Sequence, residues 1–69
     1  MMVPKYLDVV ALTVDLPGGQ LIQGQVGTVV EILAPGIFEI EFCDDDGKTY
    51  GLATLRAEQL MVLHHEPPS

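Results

Sequence analysis

Basic residues are scarce in this chain. Lys5, Lys48 and Arg56 stand against ten acids, for a net charge of −7. Affinity for nucleic acid comes largely from counterions released around Lys and Arg, so this balance argues against nucleic acid and against anionic lipid as partners. It suits solubility, and a basic protein remains a compatible partner. Tryptophan is absent, and the aromatics are Tyr6, Phe38, Phe42 and Tyr50. A stacking platform for single strands needs exposed rings, and at least Phe38 and Phe42 are expected in the core. A single cysteine, Cys43, excludes an intrachain disulfide. No apolar run approaches the roughly 20 residues of a membrane-spanning helix. The first residues, M-M-V-P-K-Y-L-D, lack the basic-then-apolar order of a secretory signal. A cytoplasmic location is therefore expected.

The 69 residues fit one domain, residues 1–69, with an ordered core from about 5 to 64 and a frayed tail at 65–69. A domain this small buries only about 60 % of the surface its unfolded chain exposes. Nothing covalent staples it, so a partner or a further copy would be a natural source of stability.

What is present is alternation. Phe38, Ile40 and Phe42 alternate with Glu39 and Glu41, the pattern of a half-buried strand. Tyr50, Leu52 and Thr54 continue that face after a turn. Phe42 opposite Tyr50 sets Ile40 opposite Leu52. Asp44 and Lys48 then close a loop of Asp45, Asp46 and Gly47, with Gly47 where positive φ is needed. Before this hairpin, Val30 and Ile32 should share the buried face, because the alternative face contains Glu31. That parity requires a wider or bulged turn around Ala34, Pro35 and Gly36. A plain two-residue loop there would splay the strands.

Tyr6 to Val14 reads as a strand with two largely apolar faces, hence interior or covered. Asp15 to Gln23 holds Pro17, Gly18 and Gly19 and reads as a long loop. Its Leu16, Leu21 and Ile22 either tuck under it as a satellite core or form a docking surface. Arg56 to Leu60 is too short for a helix and predicts one 3₁₀ turn. Met61 to Leu63 predicts a last short strand. Five strands, a long first loop and a 3₁₀ turn before the last strand describe a small five-stranded SH3-like barrel.

Two resemblances follow. Gly24, Gly27, Val29 and Ile32 form a G-x-x-G-x-V-x-x-I arrangement similar to the KOW motif of ribosomal and transcription proteins. Leu7 to Leu12 (L-D-V-V-A-L), Gly24 to Glu31 (G-Q-V-G-T-V-V-E), Ala34 to Phe42 (A-P-G-I-F-E-I-E-F) and Asp45 to Tyr50 (D-D-G-K-T-Y) look like a bacterial family. It consists of short stand-alone proteins, frequent in cyanobacteria and grouped as a domain of unknown function. The match runs from Leu7 to about His64. The family brings no activity to carry over; its gene neighbourhood implies one member of a toxin–antitoxin-like pair. The KOW likeness is read as shared barrel geometry, since such binders present Lys and Arg from their loops.

Candidate chemistry is thin. Asp44, Asp45, Asp46 and Gly47 invite a calcium loop, but the twelfth position from Asp44 is Leu55 where a glutamate is required. Adjacent His64 and His65 would point to opposite faces of a strand, and a zinc site needs three or four convergent ligands. Cys43 is followed by three acids, a field that disfavours a nucleophilic thiolate. No enzyme, cofactor or metal is expected. The expected function is that of a small protein-binding module, antitoxin-like or immunity-like. It would use Leu16, Leu21 and Ile22 with an acidic face of Glu31, Glu39 and Glu41. The alternatives are a homo-oligomeric structural subunit and a KOW-type nucleic-acid-binding barrel.

Overall fold

The computed structural model describes residues 3–64; the tail expected at 65–69 lies outside the described residues. The fold is all-β. It comprises β1 (Val9–Leu12), β2 (Val26–Ala34), β3 (Ile37–Cys43) and β4 (Thr49–Arg56), a 3₁₀ turn (Ala57–Gln59) and β5 (Leu60–Val62). The strands form one antiparallel sheet in the order β4-β3-β2-β1-β5. The expected barrel corresponds to this element order, including the 3₁₀ turn, but the ladder is open. The three residues of β5 pair with β1, and β4 and β5 are left as the two ends of the sheet. Side chains bridge what backbone pairing does not. Val10, Leu12 and Leu60 join Val29, Phe38, Ile40, Phe42 and Leu55 in one core. Among the described residues no helix is long and apolar enough to cross a membrane.

β3 supplies the centre of that core. Its alternation puts Phe38, Ile40 and Phe42 on the buried face, each removed almost wholly from water. Burying a side chain of this size stabilises by about 1.5–3 kcal/mol. The strands on either side do not keep the same phase. In β4, Cys43 pairs with Thr49 but Phe42 pairs with Gly51, so Tyr50 is an inserted residue. Ile40 therefore faces Ala53 and Phe38 faces Leu55, and the expected pairs with Tyr50 and Leu52 are not formed. Leu55 is buried, whereas Leu52 is turned outward and 59 % exposed. Tyr50 keeps a tilted contact with Phe42, ring centroids 6.4 Å apart.

β2 carries two such insertions. Val29 pairs with Ile40, Glu31 with Glu39, Ile32 with Phe38 and Ala34 with Ile37, which leaves Val30 and Leu33 as extra residues. The buried hydrophobic side chain of this strand is thus Val29, not Val30. Ile32 does share the face of Phe38 but is 48 % exposed, because β2 beyond Val29 has outrun β1. The loop is the two-residue one, Pro35 and Gly36, with Gly36 at φ +76°. Proline followed by a left-handed glycine is the type II arrangement. Its misfit with strand twist is absorbed by the bulge at Leu33 beside it. The expected bulged turn is found: the loop has two residues, and the bulge at Leu33 keeps it from being a plain one. Between the two strands, Gly27 allows close approach. A Cβ there would stand 2.7 Å from Ile40 Cγ2 and 2.8 Å from the Glu41 carbonyl oxygen.

The first strand is shorter than Tyr6 to Val14. Asp8 closes a turn with Lys5: its Oδ2 accepts the Lys5 N–H at 2.8 Å, and its own N–H donates to the Lys5 carbonyl at 3.0 Å. At the other end, Thr13 leaves the ladder to bond the 3₁₀ turn. Its N–H donates to the Gln59 carbonyl (2.9 Å) and its hydroxyl to the Glu58 carbonyl (3.1 Å). β1 nonetheless lies interior in the sheet, between β2 and β5.

Candidate protein-docking groove

The Asp45-Asp46-Gly47 loop has the expected construction. Asp44 and Lys48 close it by an Asp44 N–H to Lys48 carbonyl bond of 2.9 Å, and Gly47 holds φ +81°. Asp44 Oδ1 accepts the N–H groups of Asp46 (2.9 Å) and Lys48 (3.0 Å). That carboxylate is engaged in shaping the turn, as short acidic side chains commonly are. Among the described residues no group of three His, Cys, Asp or Glu could hold a metal ion.

The loop from Asp15 to Gln23 is built rather than slack. Leu16 N–H donates to the Leu21 carbonyl at 2.9 Å, and Gln23 N–H to Asp15 Oδ1 at 2.9 Å. Gln25 Oε1 receives the Ile22 N–H at 2.6 Å. The fold separates the three apolar residues of this loop. Leu16 and Leu21 pack against the core, while Ile22 is 49 % exposed. Leu21 lies over Gly51 of β4, where an added Cβ would be 3.3 Å from its Cδ2. Between this loop and β4 runs an open groove of about 840 Å³. Leu16, Pro17 and Leu21 form one wall, and β4 from Tyr50 to Arg56 forms the other. From Thr49 to Leu55 that strand carries no charge.

On the outer face of the sheet the three expected glutamates do come together. Glu31 sits directly opposite Glu39, and Glu41 follows on β3. Like charges directly opposite are destabilising across a sheet. Hydroxyls offset part of that cost. Thr54 donates to Glu39 Oε1 at 2.8 Å and Thr49 to Glu41 Oε2 at 2.9 Å. No Lys or Arg side chain among the described residues reaches any of the three. Arg56 instead pairs with Glu58, Nε to Oε1 at 2.6 Å. A bond from its own backbone N–H, and then the Arg56 guanidinium, hold the Glu58 carboxyl below its ordinary value.

The sequence reading missed the open edge of β4. Thr49 to Leu55 looks like an inward strand until the Tyr50 insertion is known, and its missing charges are the signal that was available.

These features define a small all-β module with a groove beside an open strand edge. Residues 6–62, from the turn before β1 to the end of β5, match the family model described as Domain of unknown function (DUF4926), and the chain belongs to that family. No curated protein and no solved structure matches it.

Proposed function

We propose that the chain is a non-enzymatic protein-binding module of the cytoplasm. Its contact surface is the groove between the 15–23 loop and β4, extended by Ile22 and by the acidic face of Glu31, Glu39 and Glu41. The observation that carries this reading is the groove itself. It sets Leu16, Pro17 and Leu21 against a strand that carries no charge before Arg56, and Glu39 and Glu41, which no Lys or Arg side chain among the described residues reaches, stand opposite Thr54 and Leu52 of that strand. Apolar surface flanked by one sign of charge suits a protein partner, the acids steering a basic one and the apolar walls holding it. The family resemblance supports an antitoxin-like or immunity-like role within a gene pair. The element order and the 3₁₀ turn support a relation to small SH3-like barrels. A homo-oligomeric subunit is the second reading, favoured by the same uncharged edge. The charge of −7 weighs against a KOW-type nucleic-acid binder.

The test is affinity capture from the source organism's lysate at low salt, read by mass spectrometry. Wild type would be compared with Ile22→Ser and with a Glu39→Gln, Glu41→Gln double variant. Ile22 is exposed, so its variant should fold. One protein recovered in stoichiometric amount, and reduced by both variants, supports the reading. Recovery unchanged by either variant, or no protein above background, overturns it.

A further inference from the structure

We propose that the free edge of β4 takes up an extended strand of the partner, with basic and apolar residues in alternation, as an added strand of the sheet. The proposal rests on the protein-binding reading and names its mode.

Among the described residues the sheet has three stretches of unpaired edge, and two are blunted. β5 is only three residues long. β2 beyond Val29 is broken by insertions at Val30 and Leu33. Short edges and bulges are the usual protections against strand addition. β4 has eight residues, no charge before Arg56, no proline, and a regular ladder from Gly51 onward.

The register says which backbone groups are on offer. Val29 turns its N–H and C=O toward the β1 side, to the Asp8 carbonyl (3.0 Å) and the Leu7 N–H (2.8 Å). Its partner Ile40 must then turn toward β4, where it faces Ala53. Backbone direction alternates along a strand, so Leu52 and Thr54 turn their N–H and C=O away from the sheet. The next outward N–H, that of Arg56, is already taken by Gln59 Oε1 at 2.9 Å. That bond agrees with the alternation and closes the far end of the edge. Leu52 and Thr54 therefore offer two donors and two acceptors, one register of strand addition.

Side chains define the occupant. On the outer face Leu52 and Thr54 are in register with Glu41 and Glu39. A lysine or arginine beside Leu52 or Thr54 can reach over them to these carboxylates. On the inner face Gly51 and Ala53 are small, and the groove under Leu21 has room for apolar side chains. The occupant is thus basic outward and apolar inward. A second copy of the chain would bring another −7 to the same place.

The probe is a short capped peptide of alternating lysine and valine. Its controls are a peptide of the same composition with lysines and valines in separate blocks, and an alternating glutamate–valine peptide. The alternating lysine peptide should bind at least ten-fold more tightly than either control. It should shift the amide signals of Leu52 and Thr54 and slow their exchange. Leu52→Pro removes one outward N–H and leaves the ladder bonds of Gly51 and Ala53 in place. Leu52→Lys, at an exposed position, serves should the first variant lose its native spectrum. Either should weaken binding ten-fold or more. Equal binding of the block peptide, no effect of the Leu52 variants, or signal shifts away from β4 would overturn the proposal. Self-association without peptide, abolished by Leu52→Lys, would assign the edge to a second copy and overturn it too. A lysate partner still held by the Leu52 variants but lost with Ile22→Ser would sink strand addition alone and leave the protein-binding reading standing.

Discussion

The two hairpins share β3 yet are built differently. The β3–β4 hairpin has a three-residue loop, a carboxylate bonded inside it and one insertion, Tyr50. The β2–β3 hairpin has a two-residue loop with no side-chain bracing and two insertions, Val30 and Leu33. In the first, the turn suits the strand twist, and the single insertion, Tyr50, comes only after the Asp44–Lys48 closure and the Cys43–Thr49 pair. In the second, the turn opposes the twist, and a bulge beside it takes up the difference. The comparison teaches that a central strand with strict alternation keeps its phase, while its neighbours slip to meet it.

The largest test removes what the hairpins share. Phe42→Ala should cost about 3–5 kcal/mol, comparable to the whole stability of so small a domain. Thermal or denaturant unfolding reads it, and a variant with near-native spectra at room temperature would mean that β3 does not anchor both hairpins. Next is Gly27→Ala, aimed at the β2–β3 side. The added carbon meets the Glu41 backbone oxygen, which cannot yield as a side-chain tip can. A cost of about 1–3 kcal/mol is expected, with amide exchange accelerating along β2 before β4. Gly47→Val addresses the β3–β4 side and should cost about 1–2 kcal/mol, since a β-branched residue resists positive φ. An unchanged denaturation midpoint would contradict the left-handed loop.

The smallest effect is expected from deleting Tyr50. Thr49 and Gly51 would then follow each other opposite Cys43 and Phe42, a regular ladder. The loss should be about 1 kcal/mol, chiefly the aromatic contact with Phe42. A large loss would show that the insertion is required, for instance to seat Leu21 over Gly51.

These differences explain what was legible. Turn residues act over three or four positions, so the Asp45-Asp46-Gly47 loop and the 3₁₀ turn after Arg56 could be read directly. The buried face of β3 was equally plain, because its alternate residues are glutamates. Bulges have no comparable local mark. Val29 and Val30 differ in burial but not in kind, and only pairing with Ile40 decides between them. Likewise Leu52 and Leu55 exchange roles because of one residue, Tyr50. The three glutamates were correctly read onto one face. The edge of β4 was missed because the slip that exposes Leu52 could not be inferred from β4 alone.

The pairing of β1 with β5 also sets how the chain must reach its fold. The hairpins of β2, β3 and β4 join neighbours in sequence and can form within microseconds. The ladder from Val10 to Val62 joins the two ends of the chain and closes a loop around everything between them. Closure of long loops carries an entropic cost that local turns avoid. The ends should therefore zip last, against a preformed three-stranded sheet. Substitutions in β1 or β5 should then speed unfolding more than they slow folding, while those in β3 should do the reverse.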